Sequence, residues 1–293
     1  MTRALDQLRT WPGRAAAGVV RVDPDGAVST VDVEGDVDAP RPWASVTKLL
    51  VAMAVLVAVE EGTLGLDDPA GPPGSTVRHL LAHASGLAPD ERVALTAPGR
   101  RRIYSNAGYE VLADTLAGAS CMPVTDYLTT GVVHPLHMTG TALDPGASPA
   151  WGARGPLTDL LRLGGELLAP TLVAPRTLAR ATTVAFGGLA GVLPGFGRFD
   201  PCDWGLGFEL KDGKSPHWTG AKNGASTFGH FGQSGSFVWV DPMAQVACAS
   251  LADDDFGPWA VRAWPVLADA VVDEWGVHAQ PAGESPGDAH TVT

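Results

Sequence analysis

Ser45 and Lys48 are the first residues along the chain whose types and spacing suit chemistry. They lie three positions apart, directly before the eleven consecutive apolar residues 49–59. Eleven apolar positions are too many for a typical strand and too few to cross a bilayer, so the run predicts a buried helix. Positions i and i+3 share one helix face. The spacing therefore predicts a serine and a lysine side by side at the first turn of a core helix.

The electrostatics of a helix start suit a nucleophile and its base. Partial positive charge at the helix N-terminus disfavours the charged form of Lys48 and stabilises negative charge on the oxygen of Ser45. A serine hydroxyl is a weak nucleophile near neutral pH and needs such a base. The serine and lysine content of the chain gives roughly 0.2 such pairs by chance, so this motif alone is only suggestive.

Tyr104-Ser105-Asn106 is a second candidate stretch. In an extended segment, residues two apart project to the same side. Tyr104 would offer a phenol that moves a proton, and Asn106 an amide that holds a carbonyl group. The structural alternative is an ordinary helix start, with Asn106 as the cap and Tyr104 packed in the core. For this stretch in isolation the alternative is favoured by about two to one.

The glycine-rich segment 229–235 (GHFGQSG) is the third candidate and precedes a strand-like run. Glycines permit close approach of a ligand to the backbone, and a strand edge offers amide donors for an oxyanion. His230 would supply positive charge or a proton. The alternative, favoured for the segment in isolation, is a glycine-rich turn with a solvent-facing histidine.

Two kinds of element must position these residues. Alternating and apolar runs predict strands, and longer periodic runs between Gly and Pro predict helices. The predicted strands cover residues 16–22, 28–33, 206–210, 237–240 and 245–251. The predicted helices cover residues 3–9, 49–61, 76–83, 106–116, 124–128, 157–168, 176–184 and 258–275. Residues 187–197 are predicted to be a loop.

The order of the elements predicts a mixed α/β (α+β) fold, with an antiparallel sheet flanked by helices and a mainly helical lobe. Strands from both chain ends would share one sheet, which makes residues 1–70 and 206–279 a discontinuous α/β domain. Residues 71–205 would form the helical domain, and residues 280–293 a disordered tail. A cleft between the lobes is the expected site, lined by the Ser45 helix.

Composition narrows the function classes. The 293 residues carry a net charge of −12 with only four lysines, which disfavours nucleic-acid and membrane partners and favours a small-molecule substrate. Cys121, Cys202 and Cys248 are too far apart in sequence for a zinc cluster or a disulfide framework. No signal peptide precedes the fold, which predicts a cytoplasmic protein, or a secreted one if a leader is missing from the sequence. The oligomeric state stays open.

Other catalytic motifs are absent from the sequence or incomplete. The sequence has no Gly-x-Ser-x-Gly elbow, P-loop or Gly-x-Gly-x-x-Gly, so neither a nucleotide cofactor nor an α/β-hydrolase is predicted. His79 and His83 have the spacing of a helical zinc pair but lack the glutamate and a third ligand. Structural packing is favoured for them by about nine to one, and no metal is predicted. Trp204, Trp218 and Trp239 are candidates to line a pocket.

Several segments together resemble the serine hydrolase family that includes class C β-lactamases, D-Ala-D-Ala carboxypeptidases and family VIII esterases. The resemblance covers most of the chain in the order of the family. Its segments are WASVTK, EEGTLGLDDP, VRHLLAHASGL, PGRRRIYSNAGYEVLAD, HPLHMTGTAL, GPLTDLLRLGGELL, DWGLGFEL and GHFGQSGSFVWVDP, followed by CASLAD. A β-lactamase/transpeptidase-like fold is implied.

The resemblance also implies roles for the candidate residues. Ser45 matches the acylated nucleophile, Lys48 its base partner, and Tyr104 the proton-shuttling tyrosine. The residue that contacts a substrate amide or carbonyl is matched by Asn106. The oxyanion hole would be formed by the backbone amides of Ser45 and Gln233.

His230-Phe231-Gly232 lies where the β-lactamases have Lys-Thr-Gly. This departure weakens the case for a lysine that binds a substrate carboxylate, and so favours an esterase over an efficient β-lactamase. The segment 222–224 (KNG) lies eight residues too early to replace it. A β-lactamase or D,D-peptidase is the alternative, and a catalytically silent ligand-binding relative is the alternative of another class.

Overall fold

A six-stranded antiparallel sheet brings the two ends of the chain together. The computed structural model describes residues 3–277. Its main sheet has the strand order β2-β1-β11-β10-β9-β8. The strands are β1 (Ala15–Val22), β2 (Val28–Glu34), β8 (Glu209–Leu210), β9 (Phe228–Gly232), β10 (Ser236–Asp241) and β11 (Val246–Ala252). The predicted mixed fold, with strands from both ends of the chain in one sheet, is confirmed.

Within residues 3–277, seven α-helices surround or extend this sheet. They are α1 (Thr47–Glu61), α2 (Val77–Leu81), α3 (Asn106–Ser120), α4 (Val124–Leu128), α5 (Leu157–Leu168), α6 (Pro175–Ala181) and α7 (Pro258–Trp275). Two 3-10 turns (Ala4–Thr10 and Ala44–Val46) and a π-helical turn (Thr129–Val133) complete the helical elements. The bounds predicted for α4, α5 and α7 agree with the structure.

Alternation along the central strands divides the core into two layers. In β10, Phe237 and Trp239 face one cluster, which includes residues of α7, whereas Val238 and Val240 face the cluster around α1 and α5. Because helices cover both faces, β10 and β11 are buried throughout and read as continuous apolar runs. The edge strand β2 contains no buried residue, and it mixes valines with polar residues.

Helix α1 runs through the larger core cluster. Twelve of its fifteen residues, from Thr47 to Ala58, are buried. A helix buried on all sides needs apolar residues on all sides, which explains the unbroken run that follows Lys48. The buried helix fixes the position of its own first turn, where Ser45 lies.

Three small differences from the sequence predictions concern the middle of the chain. Residues 187–197 were predicted as a loop but contain β6 (Gly191–Leu193), which pairs with β7 (Gly197–Phe199) in a hairpin. Three-residue strands are too short for an alternating pattern. A further small sheet has the strand order β3 (Arg41–Pro42), β5 (Ala153–Gly155) and β4 (Ala142–Leu143). Of the predicted strand 206–210, only Glu209–Leu210 pairs as a strand.

Helix α5 packs against β1 and β11 of the main sheet, although the sequence placed it in the helical lobe. The division of the chain into two domains remains a prediction. The predicted disordered tail, 280–293, lies outside the described residues. Among those described, no helix is both long and apolar enough to span a membrane.

Candidate active site

Ser45 lies in the 3-10 turn that leads into α1, at one side of a cavity of about 270 Å³. The same cavity is lined by Tyr104, Asn106, His230 and Gln233. These four come from the start of α3 and from the end of β9, far from Ser45 in sequence. A larger groove of about 730 Å³ between β2 and α5 contains none of the candidate residues.

The backbone just before Ser45 is strained. Ala44 has a φ of +43°, a conformation that costs a non-glycine residue about 1–3 kcal/mol. Neighbouring Trp43 is locked in place: its backbone N–H donates to the Ala153 carbonyl at 2.9 Å and its indole N–H to the Gly155 carbonyl at 3.2 Å. The surrounding structure therefore holds the strained turn that presents Ser45. Sequence reasoning missed Ala44, because a lone alanine carries no pattern.

Lys48 is fully buried beneath Ser45, and its amine has three close oxygen neighbours. Its Nζ lies 2.7 Å from Asn106 Oδ1, 2.8 Å from the carbonyl oxygen of Ala150 and 3.3 Å from Ser45 Oγ. The first two are acceptors only. A neutral amine donates its two N–H bonds to them and directs its lone pair at the hydroxyl of Ser45. The arrangement is that of a base poised to accept the proton of Ser45.

Burial lowers the pKa of Lys48 from 10.5 to about 7, while the more distant charges of Asp90 and Glu110 oppose the shift. Removing an ammonium ion from water disfavours its charged form, and here no carboxylate touches the amine to compensate. A large fraction of Lys48 is therefore neutral at physiological pH, as general-base catalysis requires.

The orientation of Asn106 is fixed by a carboxylate that the sequence analysis did not identify. Asn106 Nδ2 donates to Asp90 Oδ1 at 2.7 Å. Because the carboxylate accepts only, the amide nitrogen must face Asp90 and the amide oxygen must face Lys48. The helix cap itself is Ser105, whose Oγ accepts from the N–H of Gly108 at 2.8 Å. Asn106 is thus free of the capping role considered for it.

Tyr104 stands over Lys48 with a strongly protonated phenol. Its ring centroid is 4.8 Å from Lys48 Nζ. Burial raises the pKa of Tyr104 far above its usual value, while an interaction with Ser45 opposes the shift. A phenol with so high a pKa serves as a hydrogen-bond donor and proton donor, and it is a poor base in its resting state.

His230 is neutral in this setting, which differs from the expectation that it supplies positive charge or a proton. Burial, together with the charge of Lys48, lowers its pKa to about 3. Its Nδ1 lies 2.7 Å from the carbonyl oxygen of Phe231, so the proton is on Nδ1. Its Nε2 is then an acceptor, 3.5 Å from the hydroxyl oxygen of Tyr104. His230 therefore directs the hydroxyl of Tyr104 and is not a cation for a substrate carboxylate.

His83, considered above as half of a zinc pair, supports Tyr104. The N–H of Ser105 donates to His83 Nδ1 at 3.1 Å, and the N–H of Ile103 donates to the His83 carbonyl at 2.9 Å. The centroids of the His83 imidazole and the Tyr104 phenol ring are 4.5 Å apart. His83 thus bonds the backbone on both sides of Tyr104 and packs on its ring. In the described part of the chain, no three metal-ligating side chains cluster together.

Gly232 has a different role from the one its residue type suggested. A Cβ on Gly232 would lie 2.6 Å from the Trp43 carbonyl oxygen and 2.5 Å from Ser236 Oγ. The missing side chain therefore allows β9 to approach the Ser45 turn, and it does not open space for a ligand. A side chain at position 232 would separate the two segments whose amides are expected to bind an oxyanion.

The side chain of Gln233 is hydrogen-bonded within the protein. Its side-chain Nε2 donates to the Phe256 carbonyl at 3.2 Å. Its backbone carbonyl accepts from the N–H of Phe256 at 2.7 Å. The backbone N–H of Gln233 is thus the group that remains suited to an oxyanion. Its place in the oxyanion hole, with the N–H of Ser45, stays a prediction.

The walls of the cavity are mainly apolar. Leu193, Trp204, Phe231 and Phe256 line it, and no lysine or arginine is among the lining residues. Of the three tryptophans considered, only Trp204 lines the cavity. Trp218 and Trp239 lie in the core cluster that contains α7.

One carboxylate, Glu209, also lines the cavity, and it is ionised. Burial alone would raise its pKa, but His217 and Lys214 outweigh this effect and lower the pKa to about 2. Lys214 Nζ is 2.8 Å from one carboxylate oxygen, and Trp218 Nε1 donates to the other at 2.8 Å. Glu209 is therefore neutralised by Lys214, and the cavity lining offers a substrate no unpaired positive charge.

Comparison with known proteins places this geometry in a family. The profile of the beta-lactamase family matches residues 14–272. The chain belongs to the beta-lactamase family. Ser45, Lys48, Tyr104 and His230 all lie within the matched region.

Among curated members of the family, D-alanyl-D-alanine-carboxypeptidase/endopeptidase AmpH of Escherichia coli (strain K12) is 26% identical over 151 residues. Penicillin-binding protein 4* of Bacillus subtilis (strain 168) is 30% identical over 132 residues. These matches cover 39% and 33% of this chain, and they span 39% and 29% of those proteins.

The matches to solved structures with the beta-lactamase fold cover nearly the whole chain. A beta-lactamase (Mb2281c) from Mycobacterium bovis is 51% identical, with a TM-score of 0.90, and the match covers 94% of this chain and all of the other. SurE with D-Leu, at 24% identity and a TM-score of 0.73, is matched over 96% of this chain and 77% of its own. At this identity SurE supports the fold only.

Proposed function

We propose that the protein is a serine hydrolase that forms an acyl-enzyme on Ser45 and acts on small uncharged carboxylic esters. The observation that carries the proposal is the hydrogen-bonding of Lys48. Two carbonyl acceptors occupy both N–H bonds of its neutral amine, which leaves the lone pair for Ser45 at 3.3 Å. A ligand-binding module would not need a buried, unpaired lysine beside a serine, since burying an amine in this way is costly.

The first half-reaction follows from this geometry. Lys48 accepts the proton of Ser45 as Oγ attacks the ester carbonyl, and the N–H groups of Ser45 and Gln233 stabilise the oxyanion. The carbon–oxygen bond to the alcohol then breaks. Tyr104, which is fully protonated and lies beside Ser45, gives a proton to the departing alkoxide and regains one from protonated Lys48. Water releases the acyl group in the second half-reaction by the same transfers in reverse.

The charges around the cavity favour esters over substrates that carry a carboxylate. His230 is neutral where the β-lactamases have the lysine of Lys-Thr-Gly, and the lining contains no lysine or arginine. Glu209 is ionised but paired with Lys214, so this pair supplies no free positive charge for a carboxylate. Substrates such as β-lactams and D-alanyl peptides, which carry a carboxylate next to the scissile bond, would find no fixed positive charge here.

Hydrolysis of β-lactams or D-amino-acid amides is the second candidate. It is supported by 51% identity to the Mycobacterium bovis beta-lactamase over 94% of the chain, and by the similarity to AmpH. The fold and the Ser45–Lys48 pair serve both reactions. The substrate preference therefore depends on the lining of the cavity, which favours the ester.

The test compares p-nitrophenyl butyrate with nitrocefin for the wild-type protein and Ser45→Ala, with labelling by a fluorophosphonate probe. We expect ester turnover and labelling by the wild type and a loss of at least about 10³-fold in the variant. Ser226→Ala, at an exposed serine that does not line the cavity, is the control and should keep its labelling. Labelling of Ser45→Ala would contradict the nucleophile, and nitrocefin turnover without esterase activity would reverse the order of the two candidates.

A further inference from the structure

We propose that Phe256 and the tip of the β6–β7 hairpin form the end wall of an acyl pocket, and that this wall limits the substrate to esters with a short acyl chain. The inference rests on the proposed ester hydrolysis at Ser45. It adds which part of the substrate enters the cavity and which residues set its length.

The cavity is small, and part of its lining is apolar. Its volume of about 270 Å³ lies below the roughly 300–1,000 Å³ of typical ligand sites. Leu193, Phe231 and Phe256 contribute to its apolar surface. An apolar surface of this size favours a short hydrocarbon chain, since each CH₂ that is removed from water strengthens binding.

The two halves of the end wall touch each other. Gly195, at the hairpin tip, has a φ of +79°, and a Cβ at this position would lie 2.5 Å from two ring carbons of Phe256. The hairpin backbone therefore lies directly against the edge of the phenyl ring. Pro194 and Gly195 from the hairpin and Phe256 from the loop before α7 are brought together only by the tertiary structure.

Phe256 is held firmly enough to act as a wall. Its backbone N–H donates to the Gln233 carbonyl at 2.7 Å, and its carbonyl accepts from Gln233 Nε2 at 3.2 Å. Its ring packs 5.0 Å from that of Phe231 and 5.2 Å from that of Trp264, measured between centroids. The ring therefore cannot turn aside without breaking contacts with the core.

The hairpin is anchored to the segment that carries Tyr104. The N–H of Arg102 donates to the Ala190 carbonyl at 3.0 Å, immediately before β6. The buried guanidinium of Arg102 also donates to the Cys202 carbonyl at 3.0 Å and to the Ala185 carbonyl at 2.8 Å. Bonds on both sides of the hairpin fix its position relative to Tyr104. The fixed distance between Tyr104 and this wall therefore limits the length of the acyl chain.

A fixed wall suits the acyl group rather than the alcohol. The alcohol must leave after the first half-reaction, whereas the acyl group stays bound to Ser45 until water releases it. We therefore expect the acyl group against this wall and the alcohol away from it, where the wall does not limit its size.

The test measures kcat/KM for p-nitrophenyl esters from acetate to decanoate, for the wild type, Phe256→Ala and Leu193→Ala. We expect the wild type to prefer short chains. In each variant the ratio of octanoate to butyrate turnover should rise at least about 10-fold, because a pocket discriminates roughly 10- to 200-fold per methylene that does not fit. Val192→Ala is the matched control, because Val192 lies on the same hairpin but is 56% exposed. It should keep the wild-type profile.

The outcomes separate this inference from the function on which it rests. If the wild type shows no Ser45-dependent ester turnover, the proposed function fails. If it hydrolyses esters but Phe256→Ala and Leu193→Ala keep its chain-length profile, only the end wall is wrong. A change in preference for acetate esters of longer alcohols, with no change along the acyl series, would likewise overturn the acyl assignment. Phe256→Leu, which keeps a large apolar side chain, replaces Phe256→Ala if the latter does not fold.

Discussion

Two buried lysines, Lys48 and Lys214, have opposite surroundings. Lys48 contacts two carbonyl oxygens and the hydroxyl of Ser45, and it has no carboxylate within contact. Lys214 lies 2.8 Å from a carboxylate oxygen of Glu209, and both side chains are at most 2% exposed. Both lysines are equally removed from water. The difference is whether a negative charge touches the amine.

This difference decides what each lysine can do. Carbonyl dipoles satisfy the N–H bonds of Lys48 without supplying a full charge, so burial lowers its pKa to about 7. Glu209 remains ionised beside Lys214, and the ion pair holds β8 and the segment 214–218 together. Burial favours a neutral lysine only where no carboxylate touches its amine. Asp90 and Glu110 act on Lys48 from a distance, so burial prevails.

The most severe test of the comparison removes the unpaired amine. Lys48→Met is expected to lower kcat/KM for p-nitrophenyl butyrate by about 10³-fold, within the range typical of a lost general base. The melting temperature should stay unchanged or rise, because an apolar chain replaces an amine that is costly to bury. Steady-state kinetics and thermal unfolding check the two effects. Activity within 10-fold of the wild type would contradict the assignment of Lys48 as the base.

The second test removes the countercharge of the paired lysine. Glu209→Gln leaves Lys214 buried without a carboxylate, and it should lower the free energy of unfolding by about 3–5 kcal/mol. The exposed pair of Lys222 and Asp273, each about 52% exposed, is the matched control. Lys222→Ala should change stability by less than about 1 kcal/mol. Urea unfolding measures both values, and equal effects would show that the buried pair is not special.

The same pair gives a pH dependence whose sign is fixed. The pKa of Glu209 is lowered from 4.5 to about 2 in the folded protein, so its contribution is complete above pH 4.5. As pH falls from about 4.5 towards 2, the unfolded state binds a proton that the folded state does not, and stability is lost. This part of the acid destabilisation should be missing in Glu209→Gln.

The smallest expected effect concerns the distant charge that acts on Lys48. The base must be neutral, so kcat/KM should rise with pH through about 7 and then level off. Tyr104 stays protonated well into the alkaline range, so no fall is expected near neutral pH. Because the charge of Asp90 raises the pKa of Lys48, Asp90→Asn should move the rise to lower pH.

Asn at position 90 keeps an acceptor for the amide of Asn106, which separates charge from hydrogen bonding. Glu91→Gln, at the adjacent exposed carboxylate, is the control and should leave the pH profile in place. The comparison is made on full pH profiles of kcat/KM. A profile of Asp90→Asn that coincides with that of the wild type, or moves to higher pH, would contradict the electrostatic role of Asp90.

Much of the fold and the main polar residues of the site could be predicted from the sequence. Long periodic runs fix α5 and α7 because their apolar positions must face a core. The spacing of Ser45 and Lys48 predicts their contact because both lie on the same helical turn. Residues 191–199 could not be predicted as a hairpin, since three-residue strands leave no alternation to recognise.

The sequence by itself therefore identified the residues proposed as nucleophile, base and proton donor, since local spacing and family motifs carry that information. Only the tertiary structure decided the ionisation states and orientations of the side chains in the site. The neutrality of His230 follows from burial beside Lys48, and the orientation of Asn106 follows from Asp90. Likewise, Gly195 and Phe256 meet only because the chain folds back between them. Desolvation and contacts across long sequence distances set these properties, and neither is encoded in local spacing.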